Sequence, residues 1–257
     1  MSDLVTVQGI VLSSQPIGEY DKRIVLLTRE RGKISAFAPG ARRQNSPFMA
    51  AANAFVFGNF TLYEGRTSYK LNQVHIMHQF LELASMQPGI YYGYYFLELA
   101  DYFGREGTDE KEMLNLLYLS VKALLNPSLD DRLVRCVFEL RTMAIQGLMP
   151  QIFQCTGCGR ELAGEEKLFF SQESHGVLCE ACLKGASPED VRDARRLSPA
   201  ALYAMQFIVR TPMNHLYTFT VTPEVLRELE RHIHTYVSMN TDKKFKSLQI
   251  LEVMADG

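Results

Sequence analysis

Between Leu4 and Ile76 lie segments in which apolar residues recur at every second position, with a short continuous apolar run at Ile24 to Thr28, and the parity of the alternation flips at glycines. Val5 and Val7 precede Gly9, whereas Ile10 and Leu12 follow it. Phe55 and Phe57 precede Gly58, whereas Phe60 and Leu62 follow it. A period of two is the signature of strands with one buried face. A glycine at each flip predicts a bulge or sharp bend there. Turn signals at Gly18 to Asp21, Arg31-Gly32, Pro39-Gly40 and Glu64-Gly65 divide the stretch into five strands. Five kinked strands suit a small, strongly coiled barrel, because closing a sheet on itself requires bends.

The five-stranded barrel of this size is the OB type, which binds single strands or oligosaccharides across its middle strands. Charge is distributed accordingly. The first 80 residues hold nine cations, Lys22, Arg23, Arg29, Arg31, Lys33, Arg42, Arg43, Arg66 and Lys70, against five acids, a net of +4, while the rest of the chain carries −6. The overall charge of −2 at pH 7 hides this asymmetry, which marks one end of the chain for a polyanion. These nine cations are the predicted nucleic-acid-binding residues. Phe37, Phe48, Tyr63 and Tyr69 are the aromatics available for base stacking, although Phe37 and Tyr69 suit a core equally well.

After Gln79 the periodicity becomes helical. Tyr91 to Phe103 reads as an aromatic-rich core helix. A second helix, capped at Thr108 or Asp109, carries Met113, Leu116, Leu117, Val121 and Leu124. A third starts near Asp130 or Asp131 and ends at Gly147, with Cys136 a small buried hydrophobe on its apolar side. Ser198-Pro199 and Thr222-Pro223 each pair an N-cap with a proline at the first helical position. His232 and His234, two apart on the last of these helices, do not share a face and make no metal pair.

Within this helical region Cys155, Cys158, Cys179 and Cys182 form a C-x2-C-x20-C-x2-C array. Two such knuckles close a tetrahedral shell around one zinc ion, and Gly157 and Gly159 permit the tight turn of the first. Four thiolates leave no open position for water, so the expected zinc is structural and not catalytic. The expected fold is therefore α+β: an OB-type barrel at 1–80, then a mainly α-helical domain at 81–257 with a four-cysteine zinc ribbon or knuckle inserted at 151–187.

Several functions are excluded or left unsupported. No stretch of eighteen apolar residues occurs, and the start lacks the basic and apolar regions of a secretory signal, so a cytoplasmic protein without membrane association is expected. Cysteines arranged as metal ligands fit a reducing compartment. No G-x-x-x-x-G-K-[ST], G-x-S-x-G or H-E-x-x-H is present. The chain is expected to act by binding and not as an enzyme. An RNA-binding module is the alternative the residues leave open. A zinc metalloenzyme, less favoured, would need water in the metal shell, and a protein-binding scaffold would show no nucleic-acid affinity.

The order of these parts resembles the RecO family of bacterial recombination and repair proteins. Local wording is similar too, in Gly9-Ile10-Val11-Leu12, Glu19-Tyr20-Asp21-Lys22, Leu26-Leu27-Thr28, Gly32-Lys33-Ile34 and Gly40-Ala41-Arg42-Arg43, and the four cysteines match its zinc-bearing branch. The resemblance implies a recombination mediator that binds single- and double-stranded DNA and anneals complementary strands. It implies RecR and the acidic C-terminal tail of single-strand-binding protein as partners, with RecA loaded indirectly, on the nucleoid during repair. Such a tail needs a basic-rimmed groove in the helical half, for which Lys243, Lys244 and Lys246 or Arg192, Arg195 and Arg196 are the expected rims.

Overall fold

The structure, a computed structural model, describes residues 3–66, 68–162 and 167–255. Five strands, β1 (Leu4–Ile17), β2 (Asp21–Thr28), β3 (Gly32–Ala38), β4 (Phe57–Glu64) and β5 (Tyr69–His78), close into a barrel in the order β1-β2-β3-β5-β4. All neighbours are antiparallel except β3 and β5. Strand β3 shows how sequence sets the two faces: Ile34, Ala36 and Ala38 are buried, while Lys33, Ser35 and Phe37 between them are only partly covered. Val7, Val11, Ile24, Leu26, Phe60, Leu62 and Leu71 fill the interior with them. Each large aliphatic side chain so buried stabilises the fold by about 1.5–3 kcal/mol.

One expected bend is displaced. Gly9 stays in register with Thr28 on one side and Gly58 on the other, and the bulge in β1 lies between Val11 and Ser13. Gly9 serves close approach: a Cβ there would lie 2.6 Å from the carbonyl oxygen of Leu27. At Gly58 the expectation holds, with a register shift between Phe57 and Gly58.

The chain forms two compact units, residues 1–126 with 245–257, and residues 127–244. Helices α1 (Gly89–Phe103) and α2 (Lys111–Ala123) belong with the barrel. So does a final helix, α8 (Lys246–Ala255), which packs on α1 and is preceded by Phe245, whose ring meets Tyr95 edge-on at 5.3 Å. The cap of α2 differs slightly from expectation: Glu110 takes the N-cap position, while Asp109 Oδ1 accepts from the Lys111 amide at 3.0 Å.

In the second unit α3 (Asp131–Ile145), α6 (Pro199–Arg210) and α7 (Pro223–Met239) pack together. A small antiparallel sheet accompanies them, β6 (Leu168–Ser171) between β7 (Gly176–Cys179) and β8 (Arg195–Leu197), with short helices α4 (Glu180–Gly185) and α5 (Pro188–Val191). Asp130, Ser198 and Thr222 cap α3, α6 and α7 as their sequence positions predict. Cys136 is fully buried. No helix among the described residues is long and apolar enough to cross a membrane.

Candidate metal centre and nucleic-acid interface

The four cysteines come together through local geometry. Cys155 and Cys158 sit on a turn closed by the Gly159 amide donating to the Cys155 carbonyl at 2.9 Å, with Gly159 in the left-handed region at φ 71°. Cys179 ends β7, and Cys182 lies one turn into α4. Their four sulfurs fall within 4.8 Å of one another. Zinc–thiolate bonds of about 2.3 Å in a tetrahedron place the sulfurs about 3.8 Å apart, so the cluster meets that requirement with small adjustments. Gly157 is demanded by crowding: a Cβ on it would lie 2.9 Å from both Cβ and Sγ of Cys182.

The donor set could hold a metal ion. Burial opposes ionisation of Cys155, yet backbone amides of Cys179, Cys158 and Gly157 hold its thiol down at about 6. The Cys179 amide donates to Cys155 Sγ at 3.3 Å. Cys182 is pushed up to about 12 by hydrogen bonding with Cys179, Cys158 and Cys155. A dication could compensate all four thiolates at once. Lys167 and Lys184, the flanking cations, both pair with Glu180, at 3.8 and 2.9 Å.

The nine barrel cations divide into three groups. Arg29, Arg31 and Lys33 lie on or beside the β2–β3 turn, which residues 105–110 strap down through the pairs Lys33 N–Arg105 O, Gly107 N–Arg31 O and Glu110 N–Arg29 O. Their charges are engaged: Arg29 with Glu30 at 3.4 Å, Arg31 with Glu64 and the Tyr69 hydroxyl at 2.9 and 3.1 Å, and Lys33 with Asp101. Lys22, Arg42 and Arg43 hold loops together. Lys22 Nζ donates to the Ala52 carbonyl and Asn53 Oδ1, and burial with the nearby Arg42 charge lowers its pKa. Arg42 reaches the Gly18 carbonyl, and Arg43 stacks over the Tyr20 ring at 4.9 Å, so both brace the β1–β2 turn with their charges toward its surface.

Arg23, Arg66 and Lys70 form the third group and make no ion pair among the described residues. Arg23 and Lys70 are exposed on the outer barrel face, and Arg23 Nε donates to Ser35 Oγ at 2.8 Å. Of the aromatics, Tyr69 is buried inside the barrel and Phe48 packs against its core, whereas Phe37 and Tyr63 point outward.

A family model described as Recombination protein O N terminal matches residues 1–80, and one described as Recombination protein O C terminal matches residues 89–249. The chain belongs to the RecO family. Proteins named DNA repair protein RecO align along almost its full length. That of Symbiobacterium thermophilum is 30% identical over 98% of each chain. The Clostridium novyi protein is 28% identical over 96% of this chain and 93% of its own, and that of Bacillus pumilus 27% identical over 98% and 94%.

This RecO-family chain also carries a feature that sequence reading missed. Along one face of α2, Lys111, Leu114, Asn115, Tyr118 and Lys122 recur at helical spacing. With Gln8, Arg29, Phe57 and Met77, the first four line an open groove of about 370 Å³. A second groove of about 370 Å³ adjoins it across Met77, lined also by Leu81, Lys122 and Leu125. Met77 and Leu81 are 48% and 70% exposed, so the pair of grooves forms a trough offering apolar surface, with Lys111 and Lys122 beside it and Gln79 and Glu82 also in its lining. The signal in sequence was the Lys111–Lys122 spacing of three helical turns, obscured because half of the trough comes from β1, β4 and β5.

Proposed function

We propose that this RecO-family chain is a non-enzymatic recombination mediator that binds single- and double-stranded DNA and anneals complementary strands. Working with RecR in the cytoplasm, it hands strands coated by single-strand-binding protein to RecA. The observation that carries the DNA-binding part is the outer barrel face, where Arg23 and Lys70 stand without acidic partners while Arg42 and Arg43 brace the adjoining turn. Cations placed so neutralise phosphates and lower the repulsion between two strands, and base pairing itself drives annealing. Cys155, Cys158, Cys179 and Cys182 would hold a structural zinc, which would tie β7 and α4 to the 155–159 turn. Residues 151–197 hold eight acids against six cations, and a four-thiolate zinc adds negative charge, so this segment is not the polyanion contact.

The acidic tail of single-strand-binding protein fits the trough beside α2. Its chemistry is an apolar floor of Phe57, Met77, Leu114 and Tyr118 with Lys111 and Lys122 at the rim; Arg29, which pairs with Glu30, and Glu82 also line it. That combination suits an acidic peptide carrying an apolar residue, and it joins the Lys243, Lys244 and Lys246 rim expected from sequence as a candidate. Arg192 pairs with Glu173 at 3.7 Å, and Arg195 turns back onto the carbonyls of Arg192 and Ala194.

Salt-dependent binding tests the reading. Affinity for a mixed-sequence oligonucleotide should fall steeply from low to high salt, and Arg23→Ala or Lys70→Ala should each flatten that slope by about one unit. An affinity independent of salt overturns it. A tenfold preference for RNA over DNA of one sequence favours the RNA-binding alternative. Lys111→Glu with Lys122→Glu should abolish annealing of strands precoated with single-strand-binding protein while leaving bare strands annealing normally. Unchanged annealing of the coated strands removes the trough from the mechanism.

A further inference from the structure

The barrel register sets one transverse row on the outer face. Arg23 of β2 pairs directly with Phe37 of β3, Phe37 with Lys70 of β5, and Lys70 with Tyr63 of β4. Directly paired residues in neighbouring strands point to the same face. The row therefore reads cation, aromatic, cation, aromatic around the barrel, continuing to Gln15 beyond Arg23 and Leu4 beyond Tyr63. It contains no acid. Arg23, Lys70 and Tyr63 are exposed and Phe37 is half-buried. Beside it Val25 and Ser35 on β2 and β3 and Thr61 on β4 are small, Asn72 of β5 is exposed, and Asp21, two residues before Arg23, accepts from the Gly40 amide.

Taking the proposed DNA binding as given, we infer that Phe37 and Tyr63 are stacking platforms for two bases of one unpaired strand, which crosses the barrel perpendicular to its β-strands. Adjacent strands lie about 4.8 Å apart, so the two rings, two strands apart, are separated by roughly 10 Å. Lys70 lies between them, where the phosphates linking two stacked nucleotides pass, and Arg23 takes the phosphate on the Phe37 side. Base stacking on an aromatic ring is indifferent to sequence because every base has a π-face, whereas a duplex hides those faces. The row is thus the part of the surface that prefers single strands, while Arg42, Arg43 and Arg66 contact phosphates of either form. Neither Tyr69, inside the barrel, nor Phe48, against its core, takes part.

The chain contains no tryptophan, so Phe37→Trp places its sole indole on this row. In the full-length protein, indole emission should be quenched by a thymidine oligonucleotide and unaffected by an abasic strand of equal length. Phe37→Leu and Tyr63→Leu, which keep apolar bulk, should each weaken binding of the intact strand by about 5- to 150-fold. Binding of the abasic strand and of duplex should stay at the wild-type level, which also verifies folding. Leucine variants that bind the intact strand as wild type does, or quenching equal for intact and abasic strands, overturn the inference and leave phosphate binding standing. Wild-type protein that binds neither strand overturns the DNA-binding reading together with this one.

Discussion

The ammonium of Lys33 lies 2.5 Å from the backbone carbonyl oxygen of Asp101 and 3.5 Å from that residue's carboxylate, at the last turn of α1. A cation there donates to a carbonyl of the last helical turn and complements the negative end of the helix dipole. Lys33→Ala should therefore cost about 1 kcal/mol of stability. It should leave the salt slope of DNA binding unchanged, the reverse of the pattern for Lys70→Ala. Thermal melts and salt titrations of both variants check this, and a flattened slope for Lys33→Ala would return that residue to the interface.

Gly32 governs the same corner. Its φ is 65°, and a Cβ would fall 1.9 Å from the carbonyl oxygen of Arg105, which accepts from the Lys33 amide. Gly32→Ala meets both a left-handed backbone and a backbone atom that moves only if the 105–110 strap lets go. The expected loss is about 3 kcal/mol. Hydrogen exchange should show the amides of Lys33, Gly107 and Glu110 losing protection first.

These two positions also mark where sequence was legible. The barrel could be read because β3 alternates without fault and the turns are punctuated by glycine, both local properties. The cysteine cluster was legible for the same reason, two knuckles defined by short spacing. Ion pairing was not: Lys33 meets Asp101 and Arg31 meets Glu64, partners distant in sequence that come close only once the barrel is closed and α1 is docked. The membership of α1, α2 and α8 in the barrel unit is likewise a long-range property. Helix α8 carries no capping residue at its lysine-rich start, so nothing local announced it.

Glu139 is fully buried on α3, with Arg135 Nε at 2.9 Å and His234 Nε2 at 3.4 Å. Removing one partner of a buried pair leaves the others desolvated and uncompensated, so Glu139→Ala should destabilise the second unit by about 3–5 kcal/mol. Burial already lowers the His234 pKa and Glu139 counters it. In the variant that pKa should drop further, as an NMR titration of the imidazole would show. A titration unmoved by the substitution would mean the two groups do not interact.

Asp131, at the first position of α3, is raised to about 6 from an ordinary 3.8 by burial and by the neighbouring Asp130. An acid whose folded pKa lies above its unfolded value binds more protons folded than unfolded between those two values. Its contribution to stability therefore falls as pH rises from about 4 to 6 and stays low above that. Asp131→Asn should stabilise the protein at pH 7.5 by about 1 kcal/mol, the linkage gain discounted for solvent screening at this half-buried site and less the lost helix-dipole contribution. Below pH 4 the advantage should vanish. Denaturant midpoints measured across this range decide it, and a constant difference between variant and wild type would contradict the assigned cause.

The metal site makes the most separable prediction, because its four ligands differ in exposure. Cys155 and Cys179 are buried, Cys182 is intermediate and Cys158 is exposed. Cys158→Ser removes one ligand with little loss of packing, so its effect isolates the metal, whereas Cys179→Ser adds the cost of a polar group in a buried position. Metal analysis of the purified wild-type protein should give one zinc per chain, and Cys158→Ser should lose it. The expected destabilisation is of the order of 4 kcal/mol, confined to the second unit. Thiolate ligation releases protons, so zinc affinity should fall continuously as pH drops through the thiol range, and more steeply below about 6, where Cys155 too must lose a proton to bind. Because a four-cysteine shell has no open position, zinc removal should leave salt-dependent DNA binding by the barrel intact while lowering the melting temperature of the second unit. Loss of DNA affinity in step with zinc, at temperatures where both units stay folded, would assign the cluster a direct part in binding.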